Sequence, residues 1–369
     1  MNIARQGYTE QEILNALFAV SGSRTLKFRY DLLDKNENKI GILDNVMSCN
    51  INYDSLADIK RTARFELKDT CEIDWLNEKI QPFVLLRMLD GNWVEFSQGI
   101  FLLPTPRRHH NGSFISRSIE AYDGNLILNN DKFLKRYTIS SGISYYDAIV
   151  QIIKSAGISK INIEYTDKVL DRDLEFEIGD TKLTRVNELL EAINYVQLHV
   201  DENGYFTSYK YISPSDRIPE ITYRDDKQSV IIPDVEEEID IFNVANSWVC
   251  VASNPESEPL VSTYENNNPD SKTSIINRGM RIVDYRTIDE IADQYTLNDY
   301  VSRIAYEASQ IYGNIDFKSA VMPIHGYSNV LNFNYSGLSI NDKYSEVSWS
   351  MPLTAGGQMN HRIRKVVSI

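Results

Sequence analysis

The chain has 369 residues, 42% of them hydrophobic and 24% charged, the balance of a folded polypeptide too long for one ordinary core. Its formal net charge of −14 excludes a general nucleic-acid binder, which needs clustered Lys and Arg to displace counterions, yet suits a wall that repels a passing polyanion. Three widely spaced cysteines, Cys49, Cys71 and Cys250, form no C-x-x-C pair and indicate neither a zinc site nor a disulfide framework.

The amino-terminal segment predicts a helix. Thr9-x-x-Glu12 is a capping box, Ile13, Leu14, Leu17 and Phe18 share one face, and Gly22 ends the pattern. Glu10 and Glu12 interrupt any secretory design there, and no window approaches the roughly 20 apolar residues of a membrane helix, so no stable membrane insertion is expected. From Leu26 to Tyr122 the apolar period is two. Leu26, Phe28 and Tyr30 alternate with charged residues, Asp34 to Asn38 makes a polar turn, and Ala63, Phe65 and Leu67 alternate again. Phe83 to Leu89 reads as a more fully buried strand and Asp90-Gly91-Asn92 as a hairpin turn into Trp93. Arg107, Arg108, His109 and His110 form the tip of a second hairpin. Antiparallel strands at this spacing predict a barrel or a sandwich.

The pattern then shifts. Ser144-x-x-Asp147 caps a helix with Ile149, Ile152, Ile153 and Ala156 inward, and Thr184 caps another with Val186, Leu189, Leu190 and Ile193 on one side. A hairpin around Asp201 to Gly204 completes a small α+β unit. Pro214, Pro219, Pro233 and the acidic run Glu236 to Asp240 read as an exit linker, and Asn254 to Asp270 as a long loop. Thr287-x-x-Glu290 and Thr296-x-x-Asp299 predict an inserted helix pair over 287–312. The last strands are expected at Ile315 to Met322, Val330 to Tyr335, Tyr344 to Trp349 and Arg362 to Ile369, with a Gly356-Gly357 turn before the final one.

Reactive chemistry is sparse. No G-x-S-x-G, H-E-x-x-H, P-loop or G-x-G-x-x-G occurs. His109 and His110 fall on the basic hairpin tip, a solvated loop or a contact for an acidic partner. His199 alternates outward on its hairpin and His325 follows Pro323 in a turn; neither has a carboxylate and a nucleophile at a recognisable spacing, and His361 is the fifth histidine. Glu164, Asp167, Asp171, Asp173 and Glu175 would have to supply any glycosidase pair, two acids about 5 to 9.5 Å apart across a cleft, but they read as a solvated segment. Asp167-x3-Asp171-x-Asp173 also lacks the Gly and terminal Glu of a calcium loop. The 22 Tyr and 13 Phe invite a sugar-stacking reading, but Phe28, Tyr30, Phe65, Tyr209 and Phe333 occupy strand positions, where aromatics are favoured anyway. No residue is assigned a catalytic, cofactor-binding or metal-binding role.

Three stretches together resemble one family. They are Gly99-Ile-Phe-Leu-Leu-Pro-Thr-Pro after the Trp93 hairpin, Arg278-Gly-Met-Arg-Ile-Val-Asp-Tyr, and Lys343-Tyr-Ser-Glu-Val-Ser-Trp-Ser with its Gly-Gly turn. They resemble baseplate hub proteins of long-tailed bacteriophages, in particular the amino-terminal structural part of tail-associated lysins. The resemblance implies an α+β, β-rich chain with two tube-type antiparallel β-barrels. Residues 1–139 would hold a helix and the first barrel, 140–213 an α+β domain, and 214–369 the second barrel with the inserted helices. It implies a homotrimer at the virion tail tip, assembled in the bacterial host cytoplasm, that adapts a sixfold tail tube to a threefold tip. Its partners would be tail tube and distal tail proteins, the tape measure protein, and tail tip or receptor-binding proteins, with DNA passing through the lumen unbound. The chain stops at Ile369 with its last strand, so lytic activity is not carried over. A polysaccharide- or peptidoglycan-active tail enzyme and a host-surface adhesin are the alternatives.

Overall fold

Local hydrogen bonding starts each helix, and one long strand decides how the sheets join. The computed structural model describes residues 3–20, 22–110, 112–239, 242, 244–252, 258–288, 290–310, 313–367 and 369. Helix α1 (Glu10–Leu17) precedes β1 (Leu26–Leu33), β2 (Lys39–Ile42), β3 (Val46–Asp54), β4 (Arg61–Lys68), β5 (Lys79–Arg87), β6 (Trp93–Ser97), β7 (Phe101–His110) and β8 (Ile115–Tyr122). The middle of the chain holds α2 (Asn125–Asn130), β9 (Tyr137–Ile139), α3 (Tyr145–Ser155), β10 (Ile161–Ile163), β11 (Leu174–Phe176), α4 (Lys182–Glu191), β12 (His199–Val200) and β13 (Phe206–Ser208). Then come β14 (Ile221–Arg224), β15 (Ile231–Ile239), β16 (Ser247–Ala252), β17 (Leu260–Glu265), α5 (Ile275–Arg278), β18 (Val283–Ile288) and α6 (Gln294–Ser309). Strands β19 (Gly313–Ala320), β20 (Val330–Tyr335), β21 (Ile340–Pro352) and β22 (Gln358–Lys365) complete it.

In α1 the expected capping box forms in full: Thr9 accepts from the Glu12 N–H and the Glu12 carboxylate accepts from the Thr9 N–H. Ile13 and Leu17 are wholly buried, but the helix ends with Phe18 as its C-cap instead of running to Gly22. Ser144 caps α3 as expected. The cap of α4 is Thr181, whose hydroxyl accepts from the Thr184 N–H, so Thr184 lies one turn inside.

The inserted helix pair is not what forms. Thr287 lies in β18, paired in parallel with Val251, and one sixteen-residue helix, α6, follows. Asp293 is its cap: it accepts from both the N–H and the hydroxyl of Thr296, which places that threonine in the first turn. Of the expected span, Asp289, Ile311 and Tyr312 lie outside the described residues. The acidic linker is also a strand. Residues 231–239 pair with β19, and Pro233 falls where the register shifts between Ile232 and Glu236, a place that needs no ladder N–H. Asp240 lies outside the described residues, as do Asn254 to Ser257 of the expected long loop, whose later part is β17.

Two closed barrels are replaced by one open fourteen-stranded sheet. Its path runs β15-β19-β22-β21-β3-β4-β8-β7-β5-β1-β2, with β14 and β20 branching from β21 and β6 from β5; no ring of pairings closes among the described residues. The reason is the length of β21. Along one edge its thirteen residues pair first with β20 (Ile340 to Ser345) and then with β3 (Ser348 to Pro352), so it runs out of the second half of the sheet into the first. One hydrophobic core therefore contains Ile51, Phe65 and Phe101 together with Phe317, Phe333 and Ile363. A second core lies around α3 and α4, and a third between α6 and the β17-β16-β18 sheet.

The placement of the α6 cap has a direct check. Asp293→Ala is expected to destabilise the protein by about 1 kcal/mol in chemical denaturation. Thr287→Ala, on an exposed strand position, should stay within about 0.5 kcal/mol of the parent; the reverse order would restore the first expected helix.

Candidate functional site: a carboxylate between two histidines

Strand alternation points three polar side chains inward. In β22, Met359, His361 and Ile363 are buried and alternate with exposed Gln358, Asn360 and Arg362. In β19, Ile315, Phe317 and Ser319 share the inward side, and in β14 Ile221 and Tyr223 do. Glu346 joins them from β21, where the register with β22 shifts between Glu346 and Ser348. The bulge coincides with the change of partner from β20 to β3. The Glu346 N–H donates to Asn329 O at 2.7 Å and the Ser55 N–H to Val347 O at 2.9 Å, fixing the kink on both sides.

The result is a continuous chain of hydrogen bonds. The Glu346 carboxylate accepts from His325 Nδ1 at 2.6 Å through one oxygen and from His361 Nδ1 at 2.8 Å through the other. The far nitrogens are met by hydroxyls, Tyr223 on His325 Nε2 at 2.7 Å and Ser319 on His361 Nε2 at 2.8 Å. Both histidines and Glu346 are 2% exposed. The His361 ring stacks on Phe317 with centroids 4.4 Å apart. The turn that carries His325 is held from the first half of the sheet, by Arg24 donating to Val321 O and Gln98 to Pro323 O.

Electrostatics follow from burial and pairing. Burial pushes the Glu346 carboxyl up, but the charge and hydrogen bonds of His325 and His361 outweigh it and leave it below its ordinary value. Burial takes His361 down to about 4, against the opposing hydrogen bond from Glu346. Burial, then the Glu346 charge, raises Tyr223 well above a free phenol.

Ser319, His361 and Glu346 have the hydrogen-bond order of a Ser–His–Glu hydrolase triad. Ser319 is wholly buried and its hydroxyl also lies 2.8 Å from Ala320 O, so a substrate carbonyl has no approach to it. His325, Glu346 and His361 also present three metal-ligating groups within 4.8 Å. Two ligands of one tetrahedral zinc at about 2.1 Å lie roughly 3.4 Å apart. The 2.6 and 2.8 Å nitrogen–oxygen contacts are shorter, which is proton-sharing geometry. The arrangement as it stands is a fully satisfied buried network that fixes the strand crossing.

The sequence reading did not anticipate this cluster, because its members lie far apart along the chain. The available signal was parity: His361 sits at an inward position between Met359 and Ile363. The expectation for His199 is overturned. It is buried, its ring stacked on Tyr327 with centroids 4.1 Å apart and edge-on to Tyr209, so the outer side of its hairpin is covered. His109 and His110 are exposed at the hairpin tip as expected. The acidic segment is spread out: Glu164 accepts from the Lys210 N–H, Asp173 from the Ser141 N–H, and Glu175 pairs with Arg136 at 3.6 Å, while Asp167 and Asp171 are exposed. Tyr30, Phe65 and Phe333 are core residues, and Phe28 and Tyr209 are half-buried.

The network gives stability a pH dependence of definite sign. The folded-state pKa of His361 lies below its ordinary 6.5, so its contribution is present above that value and lost as pH falls towards about 4. Glu346, also depressed, adds to the loss below its ordinary 4.5. His361→Gln should therefore flatten the fall in urea midpoint between pH 6.5 and 4. Glu346→Gln should lower stability at pH 7 by about 1–3 kcal/mol, by leaving one imidazole N–H without its acceptor. A variant as stable as the parent would remove the network from this role.

Comparison with known proteins was made at the level of sequence and of structure. No protein-family model matches the chain, and no curated protein matches it in sequence. Solved structures do match, over nearly the whole chain. The tail protein from Neisseria meningitidis MC58 has a TM-score of 0.66 at 11% identity, covering 92% of this chain and 96% of its own. The 43 kDa tail protein of prophage MuSo2 from Shewanella oneidensis has a TM-score of 0.62 at 9% identity, covering 92% of this chain and 98% of its own. An E. coli component of the type VI secretion system, described as structurally similar to the T4 tail proteins gp27 and gp5, gives 0.51 at 6% identity, covering 94% and 77%. The resemblance read from the sequence thus holds at the level of architecture: this chain has the fold of phage tail and baseplate-type proteins.

Proposed function

We propose that the chain is a structural hub at the distal end of a phage tail or tail-like particle, assembled as a homotrimer and not acting as an enzyme. One observation carries this reading. The strand path ends in two free edges, β15 at one end and β2 at the other. Both edges are unpaired in the single chain: β2 is short with Ile40 and Ile42 more than half exposed, and β15 carries Pro233, a register shift and the exposed acids Glu236, Glu237 and Glu238. An edge of one kind at each end of one sheet suits a head-to-tail contact, in which β15 of one copy meets β2 of the next and the ring closes. Lys35 precedes β2 and Lys39, paired with Asp31 at 2.9 Å, opens it, both opposite in sign to the acidic run on β15.

In this reading the β-rich parts of residues 1–139 and 214–369 are the two ring-forming units and 140–213 is an insertion between them. Three chains would then offer six units, the number needed to seat a threefold tip on a sixfold tail tube. Distal tail and tail tip proteins would be the neighbours above and below. The ring would enclose the channel for the tape measure and for DNA, and the net charge of −14 keeps a polyanion from adhering to such a wall.

Light scattering of the purified chain should give three copies, with an interface above about 2,000 Å². Ile42→Glu, which places an acid on the β2 edge facing the acidic strand, should shift the population towards monomer without lowering the urea midpoint of that monomer. A parent chain that is monomeric and joins neither tail tube nor distal-tail rings overturns the proposal.

A further inference from the structure

The small sheet β17-β16-β18 has one covered face and one bare face. Trp248, Cys250 and Ala252 of β16 turn towards α6 and share a core with Leu297, Val301 and Ile304. Strand alternation puts Val249 and Val251 on the opposite side. The register sets Thr263 and Val261 of β17 beside them, and Tyr285 and Thr287 of β18. On this side Val261, Val283 and Tyr285 are 51%, 54% and 61% exposed. Its one charged side chain among the described strand residues is Glu265, at the end of β17 and paired with Arg281 at 2.8 Å. The solvent side of a half-covered sheet is ordinarily polar, whereas this one is built largely of Val, Thr and Tyr.

The position of this sheet matters as much as its composition. It is inserted between β15 and β19, the first two strands of the large-sheet path, with Ile239 ending β15 and Ser247 opening β16. A copy whose β2 meets β15 is thereby brought beside it. That strand pairing is too little by itself. The four residues of β2 span about 13 Å, whereas each partner in a stable interface buries about 800 Å². The bare face adds roughly 14 by 20 Å of nearly uncharged surface, from three strands about 4.8 Å apart. On the incoming copy, Ile40 and Ile42 stand on one side of β2, both more than half exposed.

We propose that the outer face of β17-β16-β18 docks on a second copy of this chain, covering the Ile40 and Ile42 side of its β2. The inference rests on the hub reading for the direction of the contact. Strand pairing sets the register between copies, and the face supplies an apolar centre with Glu265 and Arg281 at its rim. Around a threefold axis such a contact is heterologous: each copy gives its small sheet to one neighbour and receives that of the other.

The test is light scattering of the full chain over a concentration series. Val283→Glu and Tyr285→Glu each place a charge in the contact and should raise the dissociation constant of the trimer by about 10-fold or more. Both positions are exposed in the single chain, so the urea midpoint of the monomer should not change. Leu134→Glu, exposed between α2 and β9, should assemble as the parent does. Hydroxyl-radical footprinting reads the parent itself: labelling of Tyr285 should fall several-fold on assembly, which decides the matter if the Glu variants do not fold. A trimer that survives both substitutions, or keeps Tyr285 reactive until another tail protein is added, overturns the inference and leaves the hub reading in place. A dimer that both substitutions disperse retains the face and ends the hub reading. A chain that stays monomeric throughout overturns both.

Discussion

The architecture depends on one strand changing partners in mid-course. β21 leaves β20 at Ser345 and takes up β3 at Ser348, and the bulge between them turns the Glu346 side chain into the core. A buried carboxylate is expensive unless its oxygens are filled, and here two imidazoles fill them, each backed by a hydroxyl. The donors come from β14, β19, β22 and the turn after β19, so satisfying one charge brings together most of the second half of the sheet. Apolar packing could hold these strands as tightly, but it would not specify the register at the kink, because hydrophobic contacts tolerate a slip that a hydrogen-bonded carboxylate does not.

That crossing also explains why the two β-rich parts share a core. The stacked rings of Tyr53 and Trp349, with centroids 5.4 Å apart, sit on paired residues of β3 and β21 and continue the packing across the seam. With the halves welded, the main strand path leaves β15 and β2 unpaired on one side at its opposite ends, beside the branch strands β14 and β6. Small peripheral units do not alter this. The α+β insertion packs around its own core, and the β17-β16-β18 sheet covers α6 with one face and leaves Val261, Val283 and Tyr285 exposed on the other. The likeness to tail proteins at 9–11% identity is a likeness of fold.

Reading the sequence succeeded wherever the interaction spans a few residues. The capping box at Thr9, the N-cap at Ser144, the Asp90-Gly91-Asn92 turn and the alternation of Ala63, Phe65 and Leu67 all involve neighbours no more than four apart. Even among these local signals, two competing caps misled: Thr184 and Thr296 resemble first residues but are donors to Thr181 and Asp293, because a threonine in the first turn and a threonine at the cap differ only in what precedes them. The acidic run at Glu236 looked like a linker since its polar, Pro-interrupted pattern has no apolar face, and an edge strand needs none.

The amino-acid sequence by itself determined the class of the protein, the start of most helices, the β-rich and mixed stretches in order, and which positions alternate inward. Tertiary structure alone decided that the strands form one open sheet instead of two closed barrels, that His325 and His361 share a carboxylate, and that His199 is covered. Those outcomes rest on contacts between residues tens to hundreds of positions apart, such as Tyr53 with Trp349 or Tyr223 with His325. Local propensity carries no record of such a pairing, since its free energy exists only once the chain has closed the loop between the two partners.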